Sequence, residues 1–260
     1  GGMEVLSTRK EDGEKWNIKN YSIHEYWNNT RLCGERLNKL SDTPNPACLP
    51  CTHQDSIGNH SKRIKENLKS VIFYDKNFLK SYNQSPHKEF FDYSQANNGL
   101  TITEPLSYHI ELGNECNLAC IMCGPYSSSK MAQEYKKLNW AIHDTRLNWT
   151  DDEEVWTKFL NDILNTKNLL SFHIIGGEPT VNPRFYELID FFVENNKTDF
   201  SLSFTTNATR DLSEWWDKLK KFKRVEIGIS LETVSRSNDY VRYGSDINVL
   251  LKNTLNYKTS

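Results

Sequence analysis

The run Cys116-Asn117-Leu118-Ala119-Cys120-Ile121-Met122-Cys123 constrains this chain more than any other feature. Its three cysteines, at the spacing CxxxCxxC, follow an apolar-rich run, residues 106–112, that reads as a strand. A loop leaving a strand can wrap a metal group. A structural zinc ion is closed by four ligands, so a zinc knuckle here needs a distant Cys or His as its fourth. Three local thiolates suit a cubane iron–sulfur cluster with one iron left open, which can hold a substrate or a cofactor. A second signal supports the cluster reading. Gly176-Gly177-Glu178-Pro179-Thr180 follows another apolar run, residues 172–175.

Composition bounds the scaffold. The chain has 260 residues, enough for a large core or two domains, and 37% of them are hydrophobic. Mean hydropathy is −0.69, the value of a soluble chain. No apolar run approaches the ~20 residues needed to cross a bilayer, so no membrane association is expected. Gly1-Gly2-Met3 reads as a tag remnant ahead of a start codon, and no secretion signal follows. The expected location is therefore cytoplasmic, where six cysteines point to metal or redox chemistry before disulfides. A net charge of −2 gives no general basic footprint for nucleic acid.

From residue 106 onward, strands and helices alternate. Strands are predicted over residues 106–112, 170–175, 200–205 and 225–230. Helices are predicted over 127–138 and 152–164, and after Asn182, an N-cap with Pro183 in the first turn. A further helix carries Leu212, Trp215, Trp216, Leu219 and Phe222, and a last one covers 247–257. Repeated strand–helix units imply an α/β fold of parallel strands with right-handed crossovers, whose sites gather at the carboxyl ends of the strands. His109 and His173 lie inside strands and read as interior or barrel-lumen histidines.

The region ahead of this core is mainly helical. Residues 1–15 form a tag and a loose end. Ser22 caps a short helix reaching Trp27, and a second helix covers 28–40. Pro44-Asn45-Pro46 breaks the chain before Cys48-Leu49-Pro50-Cys51. A long amphipathic helix is expected over 61–82. Residues 83–104, rich in Asn, Ser, Gln and Gly, read as a connector. The expected domains are thus a Cys-bearing module at 16–82 and a core at 105–260.

The CxxxCxΦC loop after one strand and the GGEP turn after the next, in that order, resemble the radical S-adenosylmethionine (radical SAM) enzymes over residues 105–260. The resemblance implies a partial (β/α) barrel with four units visible of an expected six. An uncovered parallel edge is unfavourable, so the native protein is expected to continue past Ser260, or a second chain to supply the rest. By the same resemblance, Cys116, Cys120 and Cys123 hold a [4Fe–4S] cluster whose open iron takes the amino and carboxylate groups of S-adenosylmethionine. One electron cleaves a carbon–sulfur bond, and the 5′-deoxyadenosyl radical takes hydrogen from a substrate. Met122, at the Φ position where an aromatic residue is common, packs on the adenine or else fills core space. Gly176, Gly177, Glu178 and Pro179 line the methionyl end, with Gly176, Gly177 and Glu178 contacting the amino group. Ser230 bonds the ribose or carboxylate, Asn207 does similar work or faces substrate, and Arg242 pairs with the carboxylate. The implied activity is oxidoreductase chemistry on a peptide or protein, fed by an electron donor such as a flavodoxin or ferredoxin. A small metabolite or nucleotide is the alternative substrate, and a non-catalytic iron–sulfur binding protein the alternative class.

Trp27-Asn28-Asn29, Arg36 and Cys48-x-x-Cys51 resemble the twitch module, a SPASM-like cysteine half-domain found beside such cores. That resemblance implies an auxiliary [4Fe–4S] cluster, which takes further cysteines. Cys33, on an expected helix, is the remaining candidate. Cys48 and Cys51 therefore stand as auxiliary-cluster ligands, as zinc ligands with His53 or His60, or as free thiols.

Overall fold

The computed structural model describes residues 10, 14, 16–40, 49–69, 88–140 and 148–259. The chain divides into two compact units, residues 1–104 and 105–260.

The first unit is helical. Helix α1 (Ile23–Trp27) starts from a capping box in which the Ser22 Oγ accepts from the Glu25 N–H and the Glu25 carboxylate accepts from the Ser22 N–H. Helix α2 (Thr30–Leu40) is opened by Asn29, whose Oδ1 accepts from the Leu32 N–H at 3.0 Å. Helix α3 (Leu49–Ser56) carries Cys51 and buries none of its residues. Helix α4 (Lys62–Lys69) starts after Ser61, as the sequence predicts, and residues 70–82 of that expected helix lie outside the described residues. Helix α5 (Lys88–Ala96) was not expected. It lies inside the stretch read as a connector, and its Asn- and Ser-rich flanks conceal it. The segment after α5 packs on α2. Gly99 (φ +82°) lies against Cys33, and a Cβ there would fall 2.3 Å from the Cys33 carbonyl oxygen, so no side chain fits.

The second unit is built on a four-stranded parallel sheet. In chain order come β1 (Ser107–Glu111), β2 (Ala119–Cys120), α6 (Ser129–Lys137), α7 (Glu153–Asn165), β3 (Ser171–Ile175), α8 (Pro183–Glu194) and β4 (Ser201–Thr206). Then follow α9 (Trp216–Leu219), β5 (Arg224–Ile229), α10 (Ser237–Val241), β6 (Arg242–Tyr243) and α11 (Ile247–Thr259). The sheet order is β1-β3-β4-β5, all parallel, with helices in the crossovers. Side chains alternate between the two faces of a strand. One face presents Tyr108, Phe172, Leu202, Ile174 and Phe204, all buried. Helix α8 lays Phe185, Leu188, Ile189 and Phe192 on it, starting from the predicted Asn182 cap and Pro183. The aromatic rings interlock: Phe172 and Phe192 have centroids 5.2 Å apart, and Phe185 and Phe204 5.0 Å. This core fixes where the strand ends lie.

Two expectations for this unit are corrected. The helix predicted around Leu212–Phe222 shrinks to a 3₁₀ turn (Ser213–Trp215) and the single turn α9, although Leu212, Leu219 and Phe222 are buried as foreseen. The antiparallel pair β2–β6 was not foreseen, because two-residue strands leave no periodicity to read. Among the described residues, no helix is long and apolar enough to cross a membrane.

Candidate metal and cofactor site

The cysteine loop leaves the carboxyl end of β1 and is held by its own polar residues. The Asn114 amide donates to the Pro125 carbonyl at 3.1 Å, closing the loop from one side to the other. The Ser128 hydroxyl donates to the Leu118 carbonyl at 2.7 Å and accepts from the Met131 N–H, so it caps α6 and fastens the loop at once. The Ser129 Oγ accepts from the Cys116 N–H at 3.1 Å. Leu118 and Cys120 are buried beneath the loop, whereas Cys116 and Cys123 are half-buried. Met122 does not fill core space; it is 52% exposed.

The thiols differ in character. A hydrogen bond from Cys120 lowers the Cys123 pKa, and the same bond pushes Cys120 up. Burial raises Cys116. Among the described residues no group of three His, Cys, Asp or Glu side chains gathers as the ligands of one metal ion would. A cubane places each thiolate on a different iron. Three cysteines spread along one fastened loop fit that donor pattern. A buried donor of Arg242, its Nε, also finds no hydrogen-bond partner.

The GGEP turn leaves β3 directly beside this loop. The Gly177 N–H donates to the Gly113 carbonyl at 2.8 Å, and the Glu178 N–H to the Glu115 carbonyl at 2.7 Å. A Cβ on Gly177 would fall 2.2 Å from the Glu115 oxygen, and one on Gly176 (φ +131°) 2.6 Å from the Gly113 oxygen. The two glycines are therefore required by the chain's own close approach to the segment that leads into the cysteines.

Glu178 is 2% exposed. Its Oε1 accepts from the Thr180 N–H (3.1 Å), the Thr180 hydroxyl (2.7 Å) and the Thr206 hydroxyl (2.6 Å), and its Oε2 accepts from the Asn207 N–H (2.6 Å). This carboxylate braces the ends of β3 and β4. Asn207 continues the chain of bonds: its amide donates to the Asn117 Oδ1 at 3.0 Å, and its own Oδ1 accepts from Thr209. The Ser230 N–H, just past β5, donates to the Thr206 carbonyl at 2.8 Å. Pro179 is buried in the 3₁₀ turn that follows Glu178. A continuous set of hydrogen bonds thus ties the ends of β1, β3, β4 and β5 together around the cysteine loop.

Arg242 arrives by the unforeseen pair. Cys120 and Arg242 are register partners in β2–β6, and the Ile121 N–H donates to the Val241 carbonyl at 2.9 Å. The guanidinium ion-pairs with Glu232 at 2.7 Å. Sequence reasoning missed the roles of Asn114 and Asn117. Their common signal is a polar side chain placed just past a strand or beside the cysteines.

The sheet face opposite the aromatic core is polar. Register aligns His109, His173, Ser203 and Glu226 in one row across all four strands. The two imidazoles meet edge to face with centroids 4.8 Å apart, and the His173 Nδ1 lies 2.7 Å from the Ser203 Oγ. On this face His173 is half-buried, whereas His109, expected in the interior or a barrel lumen, is exposed. Burial, then the neighbouring His109, lowers the His173 pKa.

In the first unit the candidate residues have structural partners. Arg36 donates to the Gly99 and Trp27 carbonyls and stacks on the Trp27 ring at 4.6 Å. The Asn28 Oδ1 accepts from the Thr101 N–H at 2.8 Å. Cys33 is buried on α2, Cys51 is half-buried on α3, and Cys48 lies outside the described residues. His53 and His60 are both exposed.

The model of the radical SAM superfamily matches residues 110–258, which takes in the cysteine loop, the GGEP turn and every strand end described above. The chain belongs to the radical SAM superfamily. It is 29% identical over 142 residues to the mycofactocin maturase MftC of Mycobacterium tuberculosis, covering 53% of this chain and 30% of that protein. The mycofactocin maturase MftC of Mycobacterium ulcerans is 30% identical over 142 residues, at 53% and 32% coverage. The tungsten-containing aldehyde ferredoxin oxidoreductase cofactor-modifying protein of Pyrococcus furiosus is 26% identical over 137 residues, at 52% and 33%. The chain thus spans about a third of the length of the curated relatives it matches.

Proposed function

We propose that this protein holds a [4Fe–4S] cluster on Cys116, Cys120 and Cys123, binds S-adenosylmethionine beside it, and abstracts hydrogen from a peptide or protein. The observation that carries this reading is the hydrogen-bonded set of strand ends around an open cysteine loop. When bound, the cluster and S-adenosylmethionine supply the one-electron carbon–sulfur cleavage that yields the 5′-deoxyadenosyl radical; the protein supplies orientation and shielding. The thiolate is the form that binds metal, and the hydrogen bond from Cys120 favours that form at Cys123. The backbone of Gly176–Glu178, which lies beside the loop, serves the cofactor together with Ser230 and Met122. Glu178 and Asn207 act behind them, fixing the distance between the β3 and β4 ends. Electrons come from a small reducing carrier of the flavodoxin or ferredoxin kind.

The substrate reading draws on the two relatives named as mycofactocin maturases. A second reading, modification of a small cofactor, is favoured by the name of the Pyrococcus furiosus relative. Anaerobically reconstituted protein, given S-adenosylmethionine and dithionite, is expected to release 5′-deoxyadenosine, and the C116A/C120A/C123A variant is not. Stoichiometric zinc with no reconstitutable iron would overturn the proposal. Transfer of substrate hydrogen into 5′-deoxyadenosine, tested with deuterated peptides against deuterated small molecules, separates the two substrate readings.

A further inference from the structure

We infer that the outer face of the β2–β6 pair, together with the lysines of α6, is the docking surface for an acidic one-electron carrier of the flavodoxin or ferredoxin kind. This rests on the proposed cluster at Cys116, Cys120 and Cys123. Directly paired residues of two antiparallel strands point to the same side, and the next pair points to the other. Cys120 and Arg242 therefore share one face, and Ala119 and Tyr243 the other. A cluster held by Cys120 lies on the first face, so a single layer of backbone separates it from the second. Electron transfer weakens steeply with distance, which favours docking on that second face.

The surface there is suited to a partner. Tyr243 is 65% exposed, and Ile121, just past β2, is 63% exposed. Ala119 is buried, and α6 packs against β2. Helix α6 carries three exposed lysines, Lys130, Lys136 and Lys137, against one acidic residue, Glu134. Lys130 and Lys137, two turns apart, share one stripe of the helix. Lys137 stands beside Tyr243: its pKa is raised by its bond to Glu134 first, and by the Tyr243 phenol as well. The chain as a whole has a net charge of −2, so this helix is a local basic surface on an acidic chain. Exposed apolar and aromatic side chains edged by lysines fit the acidic face of a small carrier, whose encounters are brief and steered by charge. The carrier gives up one electron and the cluster gains it, with no bond or proton changed at the protein. Lys130, Lys137 and Tyr243 act by positioning the carrier.

The test uses the whole chain, reconstituted anaerobically, with iron content and reduction by dithionite measured first. An acidic flavodoxin, photoreduced, is then mixed with it, and bleaching of the cluster absorbance gives the second-order rate constant. An acidic ferredoxin serves as the second probe. Calorimetry with oxidised flavodoxin and cluster-free protein gives binding apart from redox chemistry. The wild-type rate constant is expected to fall as salt is raised. K130E/K137E is expected to lower it about tenfold at low salt and to flatten the salt dependence. K130Q/K137Q, which removes charge without adding repulsion along the helix, is expected to lie between the two. Tyr243→Ser is expected to lower the rate constant about fivefold with the salt dependence kept. Reduction by dithionite is expected to match wild type in every variant, and flavodoxin binding to fall in step with the rate. K220E/K221E makes the same change in net charge just before β5, at the opposite end of the sheet, and is expected to leave the rate within about twofold of wild type. Equal slowing by both charge reversals would show that only net charge is read, and would overturn the inference. An unchanged rate in K130E/K137E and Tyr243→Ser, with wild type loaded and reducible, would place the carrier elsewhere and remove the inference alone. So would a wild type that dithionite reduces but that neither carrier binds or reduces. If wild type loads no cluster, the proposed function fails and electron delivery with it.

Discussion

The two units of this protein both bear cysteines near asparagines and an arginine, yet they use them differently. At the strand ends of the second unit, polar side chains converge on a loop. Asn207, Asn117, Glu178, Thr206 and Ser128 all fasten backbone that surrounds the three thiols. In the first unit, Arg36 and Asn28 bond neighbouring backbone and hold helices together. Cys51 rides on α3, a helix with no buried residue. The difference follows from the elements. Parallel strands end together at one edge of the sheet, so the loops leaving them meet. Short helices point their ends in different directions, and a cysteine on such a surface gains no converging neighbours.

Iron content should break or sharpen this contrast with the largest effect. Replacing Cys116, Cys120 and Cys123 by alanine is expected to remove all reconstitutable iron, about four per chain for one cubane. Cys51→Ala is expected to leave that content unchanged. A wild-type content of about eight that falls to about four in Cys51→Ala would show that the helical unit also carries a cluster. The contrast would then be wrong, and the auxiliary-cluster expectation right.

The next largest effect separates a brace from a ligand residue. Removing the Glu178 carboxylate leaves buried donors of Thr180, Thr206 and Asn207 without an acceptor, at a cost of about 3 kcal/mol or more. Glu178→Ala is therefore expected to lower the urea midpoint strongly even in cluster-free protein. Glu178→Gln is expected to be intermediate, since one oxygen remains and the amide meets the Asn207 N–H as a second donor. Wild-type stability in Glu178→Ala, with S-adenosylmethionine affinity alone reduced, would return Glu178 to the direct cofactor contact that the sequence suggests. A smaller effect is expected at Asn117, which is exposed and links the loop to Asn207 and Thr209. Asn117→Ala should cost about 1 kcal/mol. It should also speed loss of iron to a chelator, while Asn38→Ala, in the helical unit, should not.

What the sequence disclosed follows the same division. The four strands, the Asn182–Pro183 helix start and the order of the two motifs were legible because each has a period, a cap or a spacing. Helix α5 was missed because Lys88–Ala96 lies between stretches of turn-forming residues and buries only Ser94 completely. The helix expected near Trp215 shrank because its apolar residues pack from an irregular turn as well as they would from a helix. At the site, the cysteines and the GGEP turn could be read, but the function of Glu178 could not. A carboxylate after two glycines looks alike whether it faces a ligand or the neighbouring strand, and only the register of β3 with β4 brings Thr206 to it. Arg242 was singled out by the family resemblance, yet its closeness to Cys120 depends on a two-residue strand pair that no pattern announces.

The smallest expected effect asks whether the polar face belongs to the site region or only to the scaffold. His173 is half-buried between His109 on β1 and Ser203 on β4, with Glu226 of β5 in the same row. Burial disfavours its charged form, and a second imidazole beside it adds to that; Glu226 acts the other way. Its folded pKa therefore lies below the ordinary histidine value of about 6.5. The unfolded chain then takes up this proton first as pH falls. Stability from this position is complete above the ordinary value and declines as pH falls through the lowered folded value. An imidazole carbon-proton NMR titration should place His173 below an exposed histidine, and His109→Ala should move it up by removing the neighbouring ring that disfavours its charged form. His173→Asn should flatten the loss of stability below pH ~6.5 relative to wild type. A His173 midpoint that does not respond to His109→Ala would mean that the row is aligned by strand register alone, with no electrostatic coupling across the face. The polar face would then be solvated scaffold, and the contrast between the two units would narrow to the strand ends themselves.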